Sequence, residues 1–101
     1  VVEYVIDELP KGNLTIELIC DRVGMSRSTL HRRLKEENAS FNQLVSDIRK
    51  ALSKTYLKQG MNVTQIAFLL GYSTAGNFLS AFKRWFGMNP TAFRKKAFTL
   101  H

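Results

Sequence analysis

A chain of 101 residues holds one domain, or two very small units sharing a linker, and its 45% hydrophobic content is enough for a packed core, which excludes a disordered segment. Its formal net charge is +7 and is unevenly spread: all 8 acidic residues (Glu3, Asp7, Glu8, Glu17, Asp21, Glu36, Glu37 and Asp47) lie at or before position 47, whereas Arg49, Lys50, Lys54, Lys58, Lys83, Arg84, Arg94, Lys95 and Lys96 follow it. Clustered positive charge favours a polyanion through phosphate attraction and counterion release, and no apolar run approaches the ~20 residues of a membrane span, so no membrane partner is expected. The lone Cys20 cannot form an internal disulfide, which suits a reducing cytoplasm. A start at Val1-Val2, without methionine, reads as a fragment of a longer protein, and any targeting signal would lie in the missing part.

No segment keeps a period-2 alternation, and apolar residues recur at three and four, so every element reads as helix. Val2, Val5, Ile6 and Leu9 mark a first short helix, ended by Pro10-Lys11-Gly12. A second starts near Thr15, with Glu17 favourable in its first turn, and stops at Gly24. Ser26 caps a third, running to about Glu37. Ser40-Phe41-Asn42-Gln43 fits a capping box, opening a long helix that carries Phe41, Leu44, Val45, Ile48, Leu52 and Tyr56 on one side and continues to Gly60. Such a helix of roughly 18 residues is about 27 Å long. Asn62 to Leu70 forms a fifth, Ser73 or Thr74 opens a sixth that ends near Gly87, and Asn89-Pro90 starts a short seventh bearing Phe93 and Arg94-Lys95-Lys96. The fold class is all-α: seven helices forming two helix-turn-helix subdomains joined by a long central linker helix. Expected boundaries are 1–39, 40–60 and 61–101.

The two halves align residue by residue. Leu14/Met61, Ile19/Ile66, Cys20/Ala67, Val23/Leu70, Gly24/Gly71, Met25/Tyr72 and Ser26/Ser73 pair at one offset; Leu30/Phe78, Leu34/Phe82 and Lys35/Lys83 pair one residue later, so the second copy has an extra residue where its sixth helix begins. Each pair has a mechanical reason. Leu14 with Ile19, and Met61 with Ile66, are spaced as hydrophobic staples; Cys20 and Ala67 are small where helices cross; glycine makes the turn, the next apolar residue plugs it, and serine caps the second helix of the unit. Cys20 therefore reads as a small buried thiol. His31 and His101 have no partner at ligand spacing, so no metal is indicated, and Trp85, between Phe82 and Phe86, reads as core.

Helical residues advance about 100° each, so if Leu30 and Leu34 face the core, Arg32 points away from it. Ser28, Lys35 and Glu36 flank Arg32, with Thr29 and His31 towards the edges. This donor-rich face suits a base edge, and Arg32 can bind guanine O6/N7 in a bidentate way. In the sixth helix the equivalents of Arg32 and Ser28 are Ser80 and Gly76, flanked by Asn77, Lys83 and Arg84. The bare Ala75-Gly76 start suits close approach of backbone amides to a phosphate. The first unit is expected to discriminate sequence, and the second to anchor on phosphates.

The stretches "ICDRVGMSRSTLHRRLKEENASF" and "VTQIAFLLGYSTAGNFLSAFKRWFGMNPTAFRK" resemble the DNA-binding domain of AraC/XylS-type bacterial transcription regulators, from about Leu14 to Lys95. The resemblance implies two recognition helices in successive major grooves of double-stranded DNA. Carried over by position, Ser28, Thr29, His31 and Arg32, then Ala75, Gly76, Asn77 and Ser80, face bases; Arg27, Lys35, Thr74, Lys83 and Arg84 face phosphates. Members often have arginine where this chain has Ser80, and alanine where it has Ser53. The first departure weakens base reading by the second unit; the second changes little, since serine is nearly as small as alanine. The resemblance also implies a separate effector-binding or dimerisation domain in a missing N-terminal region. RNA polymerase is a further candidate partner.

The competing reading is a helical protein-interaction module whose basic face docks on acidic protein or RNA polymerase, DNA binding having decayed. An enzyme is the weakest class. There is no paired-carboxylate cleft, no nucleophile with a base at recognisable spacing and no glycine-rich phosphate loop, so neither catalytic residues nor a cofactor are expected.

Overall fold

Most helices of this chain begin on a side-chain oxygen. The computed structural model describes residues 1–12 and 14–98. Among them are seven α-helices and no strand: α1 (Val2–Glu8), α2 (Ile16–Val23), α3 (Arg27–Glu36), α4 (Phe41–Lys58), α5 (Val63–Leu69), α6 (Ala75–Phe86) and α7 (Pro90–Phe98), with one 3-10 turn, Leu9–Lys11, after α1. The side chains of Thr15, Ser26, Ser40, Asn62 and Thr74 each accept from the amide three residues on, and Asn89 Oδ1 does the same for Ala92 at 2.8 Å. Each fills one of the amides a helix start leaves open, at about 1 kcal/mol apiece. His101 lies outside the described residues.

Two expected details change. The capping box at Ser40 is half formed: Ser40 Oγ accepts from the Gln43 amide at 3.1 Å, but Gln43 Nε2 donates forward to Asp47 Oδ1 at 2.8 Å. A carboxylate one turn on holds the side chain that should have reached back. The complete box lies instead at Asn62 and Gln65. The cap of α6 is Thr74, with Ser73 Oγ accepting from Asn77 Nδ2 at 3.0 Å. Ser26 therefore corresponds to Thr74, and the extra residue of the second copy sits in the turn ahead of the cap.

Two hydrophobic clusters build the interior. Val5, Leu9, Ile19, Leu30 and Leu34 pack with Phe41, Val45 and Ile48 of α4, while Ile66, Leu70, Phe78 and Phe82 pack with Leu57 near its other end. Leu52 touches both. The 18-residue α4 is thus a rod shared by two cores, inside a molecule measuring 45 × 26 × 21 Å. In the second cluster Tyr72, Phe78, Phe82 and Phe93 form a chain of ring contacts at 5.9, 5.8 and 5.4 Å, with Trp85 half-buried at the edge. Cys20 is a buried free thiol and its counterpart Ala67 is buried as well, in keeping with close helix crossings.

Charged groups fasten the ends. Buried Glu8 accepts from Arg22 Nη1 at 2.8 Å and Lys11 Nζ at 3.3 Å, and the Arg22 guanidinium lies 4.5 Å from the centre of the Tyr4 ring, so α1 is held to α2. At the other end Arg94 donates to the carbonyls of Leu57 at 3.2 Å and Met61 at 2.6 Å, tying α7 to the exit of α4.

Candidate nucleic-acid interface

Burial fixes which side of α3 looks out. Leu30 and Leu34 are buried, and Ser28, His31, Arg32, Lys35 and Glu36 are exposed. Among the described residues the Arg32 guanidinium has no hydrogen bond or ion pair, so its donors are unspent. Thr29 is half-buried at the edge; its Oγ1 accepts from Ser26 Oγ at 2.9 Å and keeps its own hydrogen to give. Arg27 is exposed but pairs with Glu17 at 3.0 Å, in a contact both of whose side chains are 63% accessible. Such a surface pair is worth ~0–1 kcal/mol and yields easily to a phosphate.

On α6, Phe78 and Phe82 are fully buried, which turns Gly76, Asn77, Ser80, Lys83 and Arg84 outward and leaves Ala75 half-buried. Exposed Thr74 accepts from the Asn77 amide at 3.1 Å, and its hydroxyl hydrogen remains available to an anion. Asn77 has already committed one amide hydrogen to Ser73. Gly76 has neither a left-handed backbone nor a crowded neighbour: an added Cβ would meet only Thr74 Oγ1, at an ordinary 3.8 Å. Nothing among the described residues asks for glycine there.

Two adjoining hollows reach from α3 to α6. Arg27 and His31 of α3 line a shallow concavity with Phe41 and Asn42, and these two also line a cleft of about 420 Å³ with Arg49, Tyr72, Arg84 and Trp85. Arg49 and Tyr72 line this cleft without being among the expected DNA-facing residues, and the Arg49 guanidinium is engaged within the protein. Burial raises the Tyr72 hydroxyl above its ordinary value, against the pull of the nearby Arg49 and Arg84 charges. Arg49 had a visible signal: it falls four residues after Val45 and three before Leu52, a cation inside the apolar stripe of α4. Among the described residues no group of three or more His, Cys, Asp or Glu is gathered, and no helix is long and apolar enough to cross a membrane.

A family model described as "Helix-turn-helix domain" matches residues 19–96. The HTH-type transcriptional regulator VirS of Mycobacterium tuberculosis is 40% identical over 87 residues, covering 85% of this chain and 26% of VirS. The chain thus spans about a quarter of that relative's length. Two solved structures share the arrangement along almost the whole chain. The C-terminal domain of AraT, a response regulator from Geobacillus stearothermophilus, has a TM-score of 0.79 at 28% identity, over 94% of this chain and 80% of that one. A DNA-binding transcriptional dual regulator from Escherichia coli K-12 has a TM-score of 0.77 at 27% identity, over 95% and 93%. Paired helix-turn-helix units on a shared rod and these likenesses agree: the chain belongs to the AraC/XylS family of bacterial transcription regulators, as a DNA-binding domain.

Proposed function

We propose that this domain recognises an operator in double-stranded DNA by placing α3 and α6 in successive major grooves on one side of the duplex. What supports this is the pair of outward faces, Ser28 and Arg32 on α3 and Gly76 and Ser80 on α6, exposed while their opposite sides fill two cores, with Arg27 and His31 of α3 and Arg84 of α6 lining adjoining hollows that share Phe41 and Asn42. A molecule 45 Å long is large enough to bridge the ~34 Å between grooves one turn apart. In this reading the chain divides at 1–39, 40–60 and 61–101, and it works in the bacterial cytoplasm, where the operator is. Ser28, Thr29, His31 and Arg32 supply most of the base discrimination. Arg27, Lys35, Thr74, Lys83, Arg84 and the bare start of α6 grip phosphates, with Asn77 and Ser80 as secondary readers.

Selection of bound sites from a random duplex library tests it. Two short determinants about one helical turn apart are expected, the one under α3 being sharper. Arg32→Ala should flatten base preference at one determinant by about 1–3 kcal/mol, and Ser80→Ala by much less; equal losses would overturn the division of labour. No enrichment, with equal binding to scrambled duplex, would overturn the function itself. It would then favour the protein-docking reading, whose structural support is Phe68, 65% exposed on α5.

A further inference from the structure

The repeat gives Gly24 and Gly71 the same task, yet their surroundings differ. Both adopt left-handed backbone, at φ 70° and 81°, but a Cβ on Gly24 would enter open space, whereas one on Gly71 would run into the Leu9 carbonyl oxygen. Leu9 belongs to the 3-10 turn of the first cluster, and Gly71 to the turn of the second helix-turn-helix. The two units therefore touch backbone to backbone, in addition to their shared packing on the rod that joins them.

Arg49 closes the same point. Its Nε donates to the Leu70 carbonyl at 2.9 Å, its guanidinium lies 4.9 Å from the centre of the Tyr72 ring, and its Nη2 comes within 3.6 Å of the space beside Gly71. Leu70 is the C-cap of α5, where helix carbonyls lack backbone partners and the helix end is negative, so a cation fits there. Lying over the Tyr72 ring while its Nε donates to a carbonyl is a combination that the forked guanidinium offers and the single ammonium of lysine does not.

We propose that Arg49, with Leu70, Tyr72 and the Leu9–Gly71 contact, is a latch that sets the distance and rotation between the two readers, and so the spacing of DNA determinants the domain accepts. Arg49 is a positioning residue, acting through the turn that carries α6. The inference rests on the two-groove reading above, so its test includes a readout that needs no DNA. Without the latch, α6 is held relative to α3 chiefly through the last turns of α4, and small rotations there displace it.

In the first experiment, wild type, Arg49→Leu and Arg49→Lys are titrated against duplexes holding the two selected determinants at native spacing and with one to three base pairs inserted or removed. The wild type should prefer one spacing strongly. Arg49→Leu should lose at least tenfold of that preference while base preference within each determinant is kept, and Arg49→Lys should lie between. A uniform loss at all spacings, or an unchanged spacing profile, overturns the latch. In the second, spin labels are placed at Glu36→Cys and Thr64→Cys, exposed positions on α3 and α5, in a Cys20→Ala background. One narrow distance distribution is expected, broadened by Arg49→Leu. If Arg49→Leu does not fold, Tyr72→Leu, which removes the stacking ring and leaves an apolar plug, should broaden it too; equal widths overturn the proposal. A wild type with a narrow distribution that binds no spaced duplex would sink the two-groove reading and leave the latch standing.

Discussion

Alanine at Gly76 would extend a regular helix into free space, because the only atom it meets is the Thr74 hydroxyl oxygen at ordinary contact distance. Gly76→Ala should therefore stabilise the fold by about 0.5–1 kcal/mol through helix propensity. The same methyl would stand between the first turn of α6 and an approaching phosphate, so affinity for the selected duplex should fall several-fold. Thermal melting and fluorescence anisotropy on one preparation separate the two effects. A variant that melts higher and binds as well as wild type would remove the argument for close approach. Asp7 offers a test of a different kind. Its hydrogen bond from Arg22, at 2.9 Å, and then the Arg22 charge hold its carboxyl below the ordinary 3.8. A carboxylate more acidic in the folded than in the unfolded chain contributes stability above 3.8, and loses it as pH falls through the lowered value. Asp7→Asn should lack that part of the acid dependence, so its melting temperature should drop less steeply than the wild type's as pH falls below 3.8. Parallel acid limbs would mean the pair contributes nothing.

At the scale of elements, caps make the chain legible. Thr15, Ser26, Ser40 and Asn89 mark helix starts that local chemistry alone dictates, and glycine turns mark the ends. The misleading signals also turn on local competition. Gln43 finds Asp47 before it can complete a box, and the box forms at Asn62 and Gln65, where the reciprocal bond is made. Ser73 and Thr74 both have the chemistry of a cap; only the backbone decides that Thr74 takes it. Thr74→Val should then destabilise the fold by about 1 kcal/mol, and Ser73→Ala, which loses one exposed side-chain bond, by less than about 0.5 kcal/mol. Urea unfolding of both variants checks this, and the reverse order would return the cap to Ser73. The outward faces of α3 and α6 are legible because Leu30 with Leu34, and Phe78 with Phe82, fix the buried side. The contact of Arg49 with Leu70 is not, since it joins residues 21 apart in sequence and depends on how two units lean together. Ser53 is fully buried, and its hydroxyl donates to the Lys50 carbonyl one turn back at 2.7 Å, so its polar atom is not left unpaired.

Across the whole molecule, the uneven charge has a structural counterpart. Asp7, Glu8 and Glu17 are engaged with Arg22, Lys11 and Arg27, whereas Lys83 and Arg84 stand exposed on α6 with no ion pair among the described residues. If Arg27, Lys35, Lys83 and Arg84 each neutralise one phosphate, the plot of log affinity against log salt should have a slope of about −3.6, and Lys83→Ala should make it shallower by about 0.9. Phosphate contacts carry no sequence information, so scrambled duplex should show nearly the same slope at lower affinity. Arg32→Ala should lower affinity for the selected duplex towards that of scrambled DNA while leaving the slope almost unchanged, because its guanidinium is assigned to a base edge. Titrations between about 50 and 200 mM salt span enough affinity to tell these apart. If Arg32→Ala changed the slope as much as Lys83→Ala, Arg32 would be one more phosphate ligand, and discrimination by α3 would have to come from Ser28, Thr29 and His31 alone.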